Sequence, residues 1–247
     1  KMIEICLVRI LLLFVLAVIH AWLGLGIIQR GVIFTDLAIA QFAALGSAIS
    51  VAYFNGEYSY ALPLVFALFS AFLTAFATYR QVSTEAYIGL LYVLGASGIM
   101  VVLAGSAQGM EHFKSLLASD ILFTMLDDVL SAFIIYSVIA VIVWLFYRRL
   151  EGIYKELLFF SLLAVAVTSS VQLAGVFVVF TLLIAPPFVA MTLQLKKPLL
   201  FSFVFGWFFS LLALVVSYAY DLPTGYTIVF IGALSSLLIT TFMRRSI

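Results

Sequence analysis

The sequence is poor in the residues that most soluble proteins use freely: one cysteine, two histidines, five prolines and only 9% charged residues in a chain of 247. Cys6, being alone, excludes an internal disulfide and reveals nothing of redox compartment. The shortage of charge excludes an ordinary soluble domain, where roughly a quarter of residues are charged and roughly 45–50% apolar. Here 66% are apolar. A net charge of +1 says nothing about nucleic acid, because the basic residues sit in short clusters between apolar runs; with no basic tail, no nucleic-acid partner is expected. Nothing fits G-x-x-x-x-G-K-[ST], the loop whose backbone cradles nucleotide phosphates, so the chain is not expected to hydrolyse ATP.

What is present is a succession of apolar runs, each long enough to cross a hydrocarbon core roughly 30 Å thick. They predict an all-α polytopic membrane bundle forming a single transmembrane domain over residues 1–247. The expected spans are 10–28, 33–54, 60–79, 86–105, 128–147, 157–171, 173–194, 199–219 and 226–243. The sixth is short and reads as half of a broken helix, which leaves eight spans as the alternative to nine. Lys1 and Arg9 precede the first run as in a signal peptide, but the run is span-length and lacks a small-x-small cleavage site, so a retained helix is expected. Alternating the spans collects Arg30, Arg80, Arg148, Arg149, Lys155, Lys196, Lys197, Arg244 and Arg245 on one side. Lys1, Arg9 and Lys114 fall on the other, and nine against three predicts an outer N-terminus and a cytoplasmic C-terminus. Arg9 then lies just outside the first span.

Only the outer connection from Ser106 to Asp128 is long enough to hold structure of its own. Met110, Phe113, Leu116, Leu117 and Ile121 recur in it at helical spacing, which predicts an amphipathic helix at the membrane surface or folded into the mouth of the bundle.

Polar residues inside the spans are the candidates for function. Asp36 lies in the cytoplasmic half of the second span, where an acid costs up to about 2.5–3.5 kcal/mol on insertion scales. One reading is structural: a carboxylate favoured by the helix dipole, paired with Arg30, with Thr35 as the cap. The other is a polar lining of a translocation pathway. Ala40, Ala43, Ala44 and Ser47 follow at helical intervals and suit close helix packing. Gln41 stands about 140° around the helix from Asp36 and so belongs to an adjoining wall. His20, deep in the first span, reads as a neutral imidazole bonded to a neighbouring helix. His112, with Glu111 before it and Asp120 after it, offers ligand types that suit first-row divalent metals. A solvated polar face is the alternative there, because neighbouring residues on a helix point about 100° apart.

Residues 95–98, GASG, have the form of the G-x-S-G nucleophile of rhomboid-type intramembrane proteases. A serine nucleophile needs a base within reach, and no span after residue 98 contains a histidine, so small residues for packing explain the motif better. Pro186 and Pro187 interrupt a helix by removing two N–H donors, and Gln194, Lys196 and Lys197 follow on the positive-inside face.

Four stretches occur in order: QRGVIFTDLAIAQFAALGSA, STEAYIGLLYVLG, SLLASDILFTMLDDV and LAGVFVVFTLLIAPPFVAMTL. Together they resemble the permease subunits of the ABC-3 type of ABC transporter, the family that imports zinc, manganese or iron. The resemblance implies a permease homodimer in a prokaryotic cell membrane, a separate cytoplasmic ATPase pair and an extracytoplasmic substrate-binding protein. It implies a transported divalent metal rather than a permanently bound cofactor. Asp36 becomes a pathway, gate or metal residue, with Gln41 beside it and Glu111, His112 and Asp120 as further ligands. Pro186, Pro187, Gln194, Lys196 and Lys197 become part of the surface that receives the ATPase. One departure stands out: the family places a histidine one helical turn after the aspartate, and here that register holds Ala40 or, aligned on Gly46, Gln41. An amide oxygen is a poorer ligand for zinc than an imidazole nitrogen. Either Asp36 and other residues hold the metal, or the substrate differs. A secondary transporter working without an ATPase, or an intramembrane enzyme, would be the alternative functions.

Overall fold

The computed structural model describes residues 2–105, 121 and 124–243, with side chains from Leu7 onward. Among the described residues it is all helical, with nine α-helices and no strand. They are α1 (Met2–Arg30), α2 (Thr35–Phe54), α3 (Ala61–Tyr79), α4 (Thr84–Leu103), α5 (Leu126–Ile142), α6 (Gly152–Ala174), α7 (Val176–Thr192), α8 (Pro198–Tyr220) and α9 (Thr224–Met243). A π-helical turn, Val143–Tyr147, prolongs α5. Eight helices, counting α5 with its π turn, are long and apolar enough to cross a membrane.

The short helix is not the expected one. The sixth spans Gly152–Ala174, 23 residues, because its first turn carries Tyr154, Lys155 and Glu156 past the apolar run. At its other end the polar pair Ser169 and Ser170, which reads as a bend, stays helical. Ser169 Oγ donates to the Ala166 carbonyl at 3.0 Å and Ser170 Oγ to the same carbonyl at 2.6 Å, so neither hydroxyl seeks water. The break comes at Gly175, whose φ of 82° lies where a side chain would be strained. It is α7, with 17 residues, that falls short of a span.

The chain divides into two compact units. One comprises Lys1–Gly31, Asp120–Tyr136 and Leu173–Ile247; the other comprises Val32–Ser119 and Ser137–Gln172. In the first, α7 is the central helix and packs against α1, α8 and α9. Its apolar sequence fits burial against three neighbouring helices, with one face left open at Phe177 and Phe188, and these protein neighbours relax the need for span length. Pro186 and Pro187 lie inside this packing, both buried. Each proline frees the carbonyl four residues earlier. The carbonyl of Leu183, freed by Pro187, lies against Gly24 of α1, where a Cβ would collide with it and come within 2.8 Å of Pro187 Cγ. On the other side Gly206 of α8 faces Pro186, whose Cγ is 3.2 Å from the position of a Cβ. Glycine is needed at position 24 for close approach, not for backbone conformation.

Arg9 belongs to α1 rather than preceding it, because the helix has 29 residues, more than a hydrocarbon core requires. Its guanidinium stacks 5.6 Å from the ring centroid of Tyr218, near the end of α8, and the residue is only 8% exposed. A long basic side chain can bury its stem and place its charge toward an interface, and an aromatic face stabilises the cation there.

In the second unit α2 is the central helix, packed on α3 and α4. Three approaches show α2 and α4 running parallel: Ile33 beside Glu85, Gln41 beside Gly95, and Leu45 beside Gly98. Further along, Ala48 clusters with Ile99 and Leu103. Gly46 meets α3, where a Cβ would lie 2.5 Å from the Leu62 carbonyl oxygen. The small residues expected to serve packing do so.

Candidate functional site

Asp36 is the second residue of α2 and only 1% exposed. Its Oδ1 has no hydrogen-bond partner among the described residues. The position suits a negative charge, since the first turn of a helix carries the positive end of the dipole. The expected cap is different, however. Thr35 is the first helical residue, and the cap position is Phe34, whose side chain makes no capping bond. Thr35 Oγ1 instead donates to the Val32 carbonyl at 2.8 Å, because that acceptor is three residues back and free of the helix ladder. Arg30 Nη1 donates to the Gly26 carbonyl at 3.0 Å, in the last turn of its own helix.

Another helix holds the chain just before the cap position. Glu85, in the first turn of α4, accepts the Ile33 backbone N–H at 2.8 Å through Oε1. The entry to α2 is therefore held by a residue 52 positions away. Glu85→Ala should lower the thermal stability of the purified protein by about 1 kcal/mol, the net worth of a part-solvated hydrogen bond. Glu85→Gln, which keeps an acceptor oxygen, should lose less. Thermal unfolding in detergent reads the difference, and equal losses in both variants would refute the tether.

Gln41 is half-buried, with its Cβ 3.0 Å from where a Cβ on Gly95 would stand. It therefore packs on α4, five residues along from Asp36, and the two side chains occupy different faces as the helical angle requires. Gly95 and Gly98 of the GASG motif are the points where α4 meets α2, and Ser97 Oγ donates to the Leu94 carbonyl of its own helix at 3.2 Å. That is a packing motif in full. His20 is buried, and its Nδ1 lies 2.8 Å from the Leu16 carbonyl. A carbonyl only accepts, so Nδ1 carries the proton in this bond, which lies within α1.

Among the described residues no group of three or more His, Cys, Asp or Glu could hold a metal ion. Glu111, His112 and Asp120 lie outside the described residues. The residues expected from the sequence to receive an ATPase separate into two kinds. Gln194, Lys196 and Lys197 are exposed beyond the end of α7, where Gln194 adopts a left-handed φ of 50° and the Leu195 N–H closes on the Ala190 carbonyl at 3.1 Å. Pro186 and Pro187 are not on that surface. They are buried against α1 and α8, because the helix continues beyond them to Thr192. Sequence reading had no means of finding the Glu85 tether or the Gly24 approach, although Glu85 stands in the acidic-then-Ile-Gly stretch of the family resemblance.

Residues 2–244 match the ABC 3 transport family. The chain belongs to that family. It is accordingly a multi-pass membrane protein and an ABC-transporter permease. Among solved structures, PsaBC from Streptococcus pneumoniae in complex with Fab shares the fold with a TM-score of 0.77 at 20% identity, over 98% of this chain and 92% of that one. A protein described as a metal-chelate type ABC transporter, in an inward-facing conformation, gives a TM-score of 0.69 at 16% identity, over 96% and 86%. No curated protein matches the chain. For an ABC 3 permease the buried, half-satisfied carboxylate of Asp36 is the feature of chemical interest, since membrane-embedded acids are costly and cluster on ion pathways.

Proposed function

We propose that this ABC 3 permease forms the translocation pathway of an importer for a divalent metal ion, zinc, manganese or iron. It works as a homodimer, driven by separate cytoplasmic ATPase subunits and supplied by an extracytoplasmic binding protein. Asp36 lines or gates the pathway in its inner half, and Gln41 forms an adjoining wall. The observation that carries this reading is the Asp36 carboxylate, buried in the first turn of α2 with one oxygen unpartnered. A purely structural acid would be matched on both oxygens. A passing cation would offset the desolvation cost only while present, which is what a pathway residue requires. The likeness to a metal-chelate type transporter supports a substrate that contains metal. Gln194, Lys196 and Lys197 supply an exposed, basic end of α7 for the ATPase.

The test is uptake by the complete complex in proteoliposomes, across a panel of free and chelated zinc, manganese and iron. At least one free divalent ion should accumulate only when ATP and binding protein are supplied. Uptake driven by a proton or sodium gradient without ATP would support a secondary transporter instead. Accumulation of the chelates alone would reassign the substrate.

A further inference from the structure

The second unit has one end at which aromatic and basic side chains gather from two turns. The π-helical turn Val143–Tyr147 leads directly into Arg148 and Arg149, both exposed. Lys155, at the start of α6, holds its Nζ 5.1 Å from the Tyr147 ring centroid. The end of α3 adjoins this turn, since Tyr79 lies 3.7 Å from the position of a Cβ on Gly152. Arg80 follows, its guanidinium 5.2 Å from the Phe76 ring centroid. Arg80, Arg148, Arg149 and Lys155 thus outnumber Glu85, Glu151 and Glu156, the carboxylates of the two turns.

The apolar part of this surface is continuous with the charged part. On α5 and its π turn, Val138, Val141 and Leu145 are exposed, and Arg148 follows directly after the turn. Trp144 is 79% exposed beside that stripe, and Tyr154 is exposed on α6. Such a face is an apolar track ending in a pair of guanidinium groups with a tryptophan at the junction. A soluble protein partner would have no use for the track. A lipid matches both parts, with its chains along the stripe and its phosphate at the arginines, and tryptophan favours the interface between them.

We propose that the turn between α5 and α6, with the end of α3, is a contact site for anionic phospholipid. Positive-inside orientation places it in the leaflet where such lipids concentrate. The arginines supply the preference for negative headgroups, and Trp144, in the π turn just before them, is a residue that favours the membrane interface.

The experiment reconstitutes the full-length protein in phosphatidylcholine vesicles containing an equal minor fraction of brominated phosphatidylglycerol or brominated phosphatidylcholine. The part of the tryptophan quenching that disappears in Trp144→Phe is then compared between the two lipids. Stronger quenching by phosphatidylglycerol is expected. The preference should fall about fivefold for each arginine removed in Arg148→Gln and Arg149→Gln, the usual effect of one basic residue at an anionic surface. The double variant R148K/R149K should retain it. Equal quenching by both lipids, an unchanged preference in the Gln variants, or its loss in the Lys variant would overturn the proposal. Trp144 fluorescence insensitive to both brominated lipids would also overturn it, because the face would then be covered by protein.

Discussion

Asp36→Asn should assemble at normal yield and lose ATP-dependent ion uptake by roughly tenfold or more, the effect of removing an interaction worth about 1.4 kcal/mol or more. Asparagine keeps the shape of the side chain and removes its charge, so packing at the start of α2 is preserved. What disappears is the only strong attraction that this buried position offers to a cation. Oδ1 has no partner among the described residues, so no neighbour is stranded when it becomes an amide. The measurements are yield and monodispersity of the complex, then uptake, or ATPase stimulation by loaded binding protein. Failure to assemble would make the carboxylate structural. Normal uptake would make Asp36 neither gate nor ligand.

Gly24→Ala should be strongly destabilising. The new Cβ would occupy the place of the Leu183 carbonyl oxygen and approach Pro187 Cγ to 2.8 Å. The carbonyl is backbone and the proline ring is rigid, so neither can swing aside, and α1 and α7 must separate. Overpacking of a tight core typically costs about 1–3 kcal/mol, and a backbone obstacle belongs at the upper end. A large fall in folded yield and thermal stability is therefore expected. Gly89→Ala is the control: it is also helical, but a Cβ there meets nothing within 4 Å. It should be neutral or stabilise the protein by up to about 1 kcal/mol through helix propensity. Thermal unfolding of both variants in the same detergent decides the matter, and equal stability of the two would refute the role given to Gly24.

The spans were legible because hydropathy and length are direct physical requirements of a bilayer. Where those requirements relax, reading the sequence went astray. The sixth helix was read too short because its first turn is charged, and charge at a helix end is compatible with an interface. The helix after it was read as an ordinary span because a buried apolar helix and a lipid-facing one have the same composition. Asp36 was conspicuous as a carboxylate among alanines. Its surroundings were not, since Thr35 has two ways to use its hydroxyl and the sequence does not choose between them. The Glu85 bond joins residues 52 apart, and no local pattern announces such a pairing. The double proline was recognisable as an interruption, but only the packing shows that it faces glycines on two neighbouring helices instead of a soluble partner.

The central place of α7 also bears on the order in which the protein is made. Its partners α8 and α9 follow it in the chain, so α7 leaves the ribosome before two of the three helices that enclose it exist. At roughly 5–20 residues per second, the fifty or so residues from Thr192 to Met243 take roughly 3–10 seconds to synthesise. During that interval α1 is the one completed neighbour among the three, and Gly24 is what lets it shelter the Leu183 carbonyl. α1 is thus already available to pack on α7 while α8 and α9 are still being made, so a defect at the Gly24 contact should show as degradation during biogenesis before any loss of transport is measured.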